Sequence, residues 1–447
     1  MRRKKIELPY FSFYDLRGME RHLAHMAEKG WMLERISSFG WHYRKIEPKN
    51  LHFTVSYYPK ASAFEAETCE GQQIFQDFCQ HAGWKLAACN AKLQVFYNEA
   101  VDPIPIHTES ATELANIEKS IKWTLASYVL LLILGFLQIG MNLHTLLHDP
   151  IHFLSNPLSH FSVTVFLLLS IYLLLELITY AVWHRKALKA AETDEPLPFA
   201  HGHQWLLRFT LYFTVLGLLF CLVTTRQPVL AAVLLISLCS MVCVFLIVNG
   251  VRIFLKKKKV STNKNRTITC LVDLILVVLL LPVTAFALLH FSPREDFMQD
   301  AVPKTPVTLA ELIGDPTETY ITDSYSSSSL FVSCSKYYDW SHNGMSLSYT
   351  IVDVHMPFLF DVCLQSMLHN WDKFGKNNPQ CDVAQSYYVY QSVDASLWNA
   401  DQAWQLYCCG NAENTYLLTT GNCITEVSFD TAWTPEQMAL FGSKIAS

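Results

Sequence analysis

Between Ile121 and His290 apolar runs alternate with short polar breaks, and that alternation constrains every other reading of the chain. A helix needs about 20 apolar residues to cross a hydrocarbon core roughly 30 Å thick. Runs of this kind lie at Trp123 to Leu143, Phe161 to Trp183, Trp205 to Val223, Val229 to Phe254 and Ile268 to Leu289. Composition agrees: of 447 residues 51% are hydrophobic and 16% charged, too apolar for an ordinary soluble chain and too long for one domain. The expected fold class is therefore a multi-domain membrane protein. It comprises a small cytoplasmic α+β domain (1–98), a linker and juxtamembrane helix (99–120), a five-helix transmembrane bundle (121–290), a tether (291–308) and an extracytoplasmic α+β domain (309–447).

Charge separates these blocks. Residues 1–120 carry 15 basic and 15 acidic side chains, 121–290 carry 13 and 6, and 291–447 carry 6 and 18. The acidic last block has the wrong sign for a nucleic-acid partner, because phosphate binding needs a basic footprint. The break from His184 to Gln204 contains Arg185, Lys186 and Lys189, and the break from Leu255 to Thr267 contains Lys256, Lys257, Lys258, Lys259, Lys264 and Arg266. The other two breaks, His144 to His160 and Thr224 to Pro228, share only Arg226. Basic loops stay in the cytoplasm. The prediction is a multi-pass plasma-membrane protein with a cytoplasmic amino terminus and an extracytoplasmic carboxy terminus. Met1 to Lys5 is basic but leads into polar and aromatic residues, so no cleaved leader is expected. Lys256 to Lys259 also suit anionic lipid headgroups, each worth about 1 kcal/mol near a charged surface.

Residues 10–97 repeat one pattern, a helix ending in Gly-Trp and then two strands. Asp15 can cap a helix with an apolar face of Leu16, Met19, Leu23 and Met26, at spacings of three and four. Gly30 ends it, with Trp31 placed to fold back on the last turn. Alternation through Trp31, Leu33 and Ile36, through Phe39, Trp41 and Tyr43, and through Leu51, Phe53, Val55 and Tyr57 predicts strands. In the second copy Ile74, Phe75 and Phe78 make the expected helix face, Gly83-Trp84 the stop, and Leu86 and Val95 to Tyr97 the strands.

The segments Phe11-Ser12-Phe13-Tyr14, Gly18-Met19-Glu20-Arg21-His22-Leu23, Met26-Ala27-Glu28-Lys29-Gly30-Trp31 and Ala82-Gly83-Trp84 carry a family resemblance. Over about residues 8–98 the chain resembles bacterial multi-spanning membrane proteins with the domain of unknown function 2812. The resemblance implies a bacterial membrane protein. That family has no assigned chemistry, so a class is implied and a mechanism is not.

Candidate ligand sets are sparse. His22 with His25, and Cys69, Cys79 and Cys89, lack the two-plus-two spacing of a structural zinc site. His144 and His148 share a helical face and are the candidate metal ligands, against an ordinary interfacial loop interrupted by Pro150. Pro103 and Pro105 mark a domain boundary. Beyond them Thr108 to Lys119 reads as a polar helix running into the first crossing. Within the membrane block Glu176, Arg208, Asn249, Arg252 and Asp273 are expected to form an inward polar layer, since an ionised group in hydrocarbon faces a partner or water. Locking the helices together and lining an ion path are the two readings of that layer.

From Leu309 onward strand character recurs at Leu330 to Val332, Leu347 to Val354, Tyr387 to Tyr390, Ala403 to Cys408, Tyr416 to Leu418 and Ile424 to Phe429, with a helix over Phe358 to Phe374. Thr434-Pro435-Glu436-Gln437 opens a final helix. Six cysteines, Cys334, Cys363, Cys381, Cys408, Cys409 and Cys423, invite disulfides on an oxidising side, with Cys409 or Cys408 to Cys423 the preferred pair. No GxSxG elbow, HExxH pair or phosphate loop occurs, and neither catalytic residues nor cofactors are expected. The leading functional expectation is a non-enzymatic protein that couples an outer binding domain to an inner domain with a cytosolic protein partner. The alternative is a transport-related component built on the polar layer.

Overall fold

The computed structural model describes residues 4–8, 11–37, 40–107, 109–200, 202–224, 228–291, 305–314, 320–341, 344–369, 388–408 and 410–445. They belong to two compact units, Met1–Phe136 with Val165–Ser292, and Leu137–Thr164 with Pro293–Ser447.

The first unit begins with one motif used twice. Strand β1 (Lys4–Glu7), helix α1 (Leu16–Glu28) and strands β2 (Trp31–Ser37) and β3 (Gly40–Lys45) make one copy; β4 (His52–Tyr57), α2 (Glu70–His81), β5 (Lys85–Asn90) and β6 (Leu93–Asn98) make the other. Each copy builds its own antiparallel sheet, in the orders β1-β3-β2 and β4-β6-β5. Gly30 and Gly83 follow their helices at φ +80° and +86°, a conformation cheap only for glycine. Four residues after each glycine the strand bulges, skipping Glu34 in β2 and Ala87 in β5. Bulges bend a strand and tighten its twist, so both copies turn in the same place.

Two expectations change here. The unit is strand-helix-strand-strand, and Leu51 to Tyr57 opens the second copy through pairing with β6, from His52 opposite Asn98 to Tyr57 opposite Leu93. Alternation marks a strand without naming its neighbour. The second change concerns helix faces. Helix α1 buries Leu16, Met19, Leu23 and Met26 as expected, but in α2 Ile74 and Phe78 are exposed at 62% and 63% while Gln72 and Cys79 are buried. Gln72 Nε2 donates to the Ala91 carbonyl at 3.2 Å and Gln76 Nε2 to Gln94 Oε1 at 2.8 Å. Phe75, the third residue of the expected face, is half-buried and packs edge-on against Phe96, ring centroids 6.1 Å apart, so these hydrogen bonds and the small core of Cys79, Trp84 and Phe96 together set how α2 is rotated.

All five apolar runs are helical, within α3 (Ser110–His148), α5 (Pro157–Glu192), α6 (Gln204–Thr224), α7 (Pro228–Lys257) and α8 (Thr262–Phe291). Three stretches, Ser110–His148, Pro157–Glu192 and Cys239–Lys257, are long and apolar enough to cross a membrane. The polar approach to Trp123 is continuous with the first run in one helix. Where α3 meets α5, a Cβ on Gly135 would lie 2.5 Å from Ser170 Oγ, so glycine permits the close approach. Helix α7 packs along α8.

The second unit is one seven-stranded antiparallel sheet, ordered β10-β11-β12-β13-β9-β8-β7. Its strands are β7 (Tyr320–Ser328), β8 (Val332–Ser341), β9 (Ser346–Val354), β10 (Tyr388–Val393), β11 (Gln402–Cys408), β12 (Asn411–Thr420) and β13 (Cys423–Phe429). Alternate residues of a strand face opposite sides. Tyr349, Leu418, Val427 and Phe429 thus join Trp398, Trp433 and Phe441 under α9 (Leu309–Ile313) and α11 (Pro435–Ile445). Val352, Leu417 and Ile424 enter the opposite core with Cys363 and Leu364 of α10 (Phe360–Leu368). That opposite core also takes Leu154 from α4 (Pro150–Ser155). The carbonyl of Leu154 accepts from Ser329 Oγ at 2.5 Å, and Ser155 Oγ lies 2.9 Å from Ser327 Oγ. The loop between the first two apolar runs is thus part of the carboxy-terminal core. The final helix has the cap its sequence predicts, with Gln437 N–H donating to Thr434 Oγ1 at 3.3 Å and Thr434 N–H to Gln437 Oε1 at 3.0 Å.

Candidate functional site

The first repeat is seated on the helices of its own unit through a joint that combines an apolar core with buried polar contacts. Leu16, Met19 and Leu23 of α1 share a core with Leu114, Ile117 and Ile121 of α3, Trp183 and Ala187 of α5, and Leu197 of the loop that follows. That loop is pinned at several points. Asp15, the cap of α1, accepts from Gly18 N–H and from Ala200 N–H, each at 3.1 Å. The Arg21 guanidinium sits 4.0 Å over the Phe199 ring, and Trp183 Nε1 donates to the Pro198 carbonyl at 2.9 Å. Ser110 N–H donates to Asp194 Oδ1 at 3.0 Å, and His184 Nε2 lies 2.5 Å from Glu118 Oε1.

Inside the joint Glu176 of α5 is buried and accepts from His203 N–H at 3.4 Å. Tyr14 packs edge-on against Tyr180, ring centroids 5.2 Å apart, and against Trp183 at 5.1 Å. Burial, and then the Glu176 carboxylate, push the Tyr14 hydroxyl well above the usual phenol range. Gln204 Nε2 donates to Tyr172 Oη at 3.0 Å, and Thr179 Oγ1 lies 3.4 Å from His203 Nδ1. Ser12, Tyr14, Asp15 and His203 were not legible as site residues, because they come from two segments almost 190 residues apart with no shared spacing.

A second polar contact ties α1 to β4 and α3. Glu20 Oε1 accepts from Val55 N–H at 2.9 Å, Glu20 Oε2 lies 3.4 Å from Arg17 Nη1, and Arg17 Nη2 is 3.9 Å from Glu113 Oε2. Burial pushes the Glu20 carboxyl up to about 7, against the pull of Arg17. Burial also raises Glu113.

The expected polar layer does not gather as one cluster. Glu176 joins the seated repeat, and Arg208 Nη2 donates to the Leu8 carbonyl at 3.1 Å. Arg252 Nη2 bonds Asn249 Oδ1 at 2.8 Å within α7, and Asp273 is exposed on α8. In the basic run Lys259 Nζ pairs with Glu67 Oε1 at 2.8 Å and Lys258 lies 5.9 Å over the Phe254 ring, while Lys256 is half-buried and Lys257 exposed. His144 and His148 do share a face, their rings stacked at 4.0 Å. Among the described residues no group of three or more His, Cys, Asp or Glu is arranged to hold a metal.

Cys409 and Cys381 lie outside the described residues, as do positions 370–374 of the expected helix. Cys423 is a free thiol, 3.7 Å from Thr425 Oγ1. Cys408 lies opposite Asn411 at one end of β12, whereas Cys423 lies opposite Thr420 at the other. Adjacent strands therefore keep Cys408 and Cys423 about 30 Å apart, at roughly 3.3 Å per residue.

No curated protein and no solved structure matches the chain. Residues 15–129 match a family described as a protein of unknown function, DUF2812. The match runs past the linker prolines to the middle of α3, taking in Leu114, Ile117 and Ile121, the residues that α3 gives to the core of the first repeat.

Proposed function

We propose that the chain is a bacterial plasma-membrane protein that couples an outer binding domain to an inner interaction domain. In this reading five helices cross the bilayer, with the amino terminus inside and the acidic carboxy-terminal domain outside. The inner repeats bind a cytosolic protein partner, the basic run meets anionic lipid, and the protein regulates without catalysing. The observation that carries the reading is that one helix serves two cores: α3 gives Leu114, Ile117 and Ile121 to the amino-terminal core and Leu146 to the core around α4. A change in the seating of α4 on the outer sheet then has a continuous helix by which to reach the inner joint.

The test needs no identified ligand. Replacing Leu154 by Asp in the full-length protein puts a charge into the apolar seat of α4, and amide exchange is followed by segment. Coupling predicts faster exchange in residues 146–155 and, by several-fold, in residues 114–121. Acceleration confined to residues 146–155 would leave α3 a static anchor and overturn the reading.

A further inference from the structure

Leu8, Phe13 and Tyr14, on the approach to α1, touch three different helices, and each contact falls inside an apolar run. Arg208 Nη2, which donates to the Leu8 carbonyl at 3.1 Å, stands three residues into the run that begins at Trp205. The Phe13 ring lies 6.4 Å from that of Tyr128, five residues into the run that begins at Trp123. Tyr14 meets Tyr180 at 5.2 Å, three residues short of Trp183, where the second run ends. At 1.5 Å per residue, all three helix positions lie about 4–8 Å inside the ends of their runs. Trp123 and Trp205 are themselves exposed, as is Lys122 beside the first, the aromatic and basic flank with which crossing helices meet an interface.

The side chains sort to match. Ser12 and Tyr14 are buried, whereas Leu8 is 55% and Phe13 46% exposed. Adjoining positions of α3 and α6 that are exposed, Val129, Leu130 and Phe209, are likewise apolar, so the surface is continuous in character. Backbone polar groups decide whether irregular chain tolerates such depth, because hydrocarbon supplies no hydrogen bonds. Three carbonyls here are supplied by the protein: Leu8 by Arg208, Ser12 by Asp15 N–H at 3.0 Å and Phe13 by the Tyr57 hydroxyl at 2.8 Å.

We propose that the approach to α1 enters the membrane leaflet on the amino-terminal side, with Leu8 and Phe13 packed against lipid acyl chains. A protein partner could reach these two side chains only by displacing the lipid around α3 and α6. The inference rests on the reading that α3, α5 and α6 cross the bilayer, and it deepens that reading by giving the first repeat a hold on the membrane besides its linker. Lipid then forms one wall of the joint.

The photoreactive residue benzoylphenylalanine is placed at Leu8, Phe13, His25 or Val129, one position at a time, in the full-length protein. Each variant is reconstituted in phosphatidylcholine vesicles and irradiated, and mass spectrometry finds the lipid joined to it. The expected result is lipid adducts at Phe13 and Leu8 in yields comparable to Val129 on α3, and none at His25, an exposed residue towards the far end of α1. Adducts at Val129 with none at Phe13 and Leu8 overturn the proposal and leave the crossing helices standing. No adduct even at Val129 overturns the crossing reading and the proposal with it. Yields at His25 equal to those at Phe13 would show capture without depth and overturn it too. Should the Phe13 variant not fold, Leu8, the more exposed of the two, decides.

Discussion

The two amino-terminal repeats share sheet order, glycine stops and bulge positions, yet their helices are used in opposite ways. Helix α1 turns an apolar stripe inward and docks on α3 and α5. Helix α2 turns glutamines and a cysteine inward and leaves Ile74 and Phe78 in the open. Aligned on their glycines, Leu23 corresponds to Gln76 and Glu20 to Gln73. Backbone instructions have thus been kept while the side-chain logic of the helix diverged. Topology in such a motif depends on a few glycines and a strand bulge, and the helix face is free to be rewritten.

The largest break in this comparison is expected at the helix cores. Leu23→Ala empties a site that is 1% exposed and should cost about 2–5 kcal/mol. Gln76→Ala, its counterpart, removes one neutral hydrogen bond to Gln94 and should cost about 1 kcal/mol. Chemical denaturation of the full-length variants, side by side, checks the difference; equal losses would mean that both helices are held by apolar area.

Proton linkage separates the repeats next. The Glu20 carboxyl is raised from 4.5 to about 7, so the folded chain holds this proton more tightly than the unfolded chain does. Its contribution is fully present below about pH 4.5 and is lost as pH rises toward about 7. A shift of that size corresponds to about 3 kcal/mol. Melting temperature followed across this window should fall with rising pH, and Glu20→Gln should flatten the curve. The second repeat, with Gln73 at the matching position, should show no such slope in segment-resolved exchange.

A smaller contrast is expected at the two stops. Both glycines have positive φ, but a Cβ on Gly30 would lie 2.8 Å from the Ile46 carbonyl oxygen, whereas one on Gly83 would meet only Asn98 Nδ2 at 3.4 Å. Gly30→Ala should therefore cost about 2–3 kcal/mol and Gly83→Ala about 1 kcal/mol. Thermal melts of the two variants would rank them, and the reverse order would show that the chain near Ile46 gives way. Smallest of all, Phe78→Ala on the exposed face of α2 should change stability by no more than about 0.5 kcal/mol.

Much of this architecture was readable because it is local. Caps such as Thr434 with Gln437, stops such as Gly30 and the helical apolar runs each depend on residues within one turn of one another. What escaped depends on partners chosen across the chain. β7 reads Tyr-Ile-Thr-Asp-Ser-Tyr-Ser-Ser-Ser, a serine-rich segment without a regular apolar alternation, and its strand is made by pairing with β8 along its whole length. On α2 the expected apolar face holds for Phe75, which packs on Phe96, and fails for Ile74 and Phe78, because Gln72 and Gln76 meet hydrogen-bonding partners on the sheet. Of the candidate site, Glu176 stood out as an acid in an apolar run. Its companion Tyr14 stands in a segment that carries the family resemblance but no sign of a partner, His203 carries no local mark, and the two are brought to Glu176 only by folding.

The place of α4 has a further consequence, for biogenesis. Leu154 is synthesised some 180 residues before the strands of β8 and β9 that bury it, and its core cannot close until those strands emerge. During that interval α4 has no sheet to cover and the sheet, once begun, waits on a helix already made. Residues 309–447 expressed by themselves would carry an uncovered apolar patch, a standing invitation to aggregate. A fragment that begins at Leu137 holds α4, though with the intervening helices in tow. The carboxy-terminal unit is therefore completed by order of synthesis as much as by its own sequence, and supplying residues 137–164 in trans should rescue the solubility of the isolated fragment.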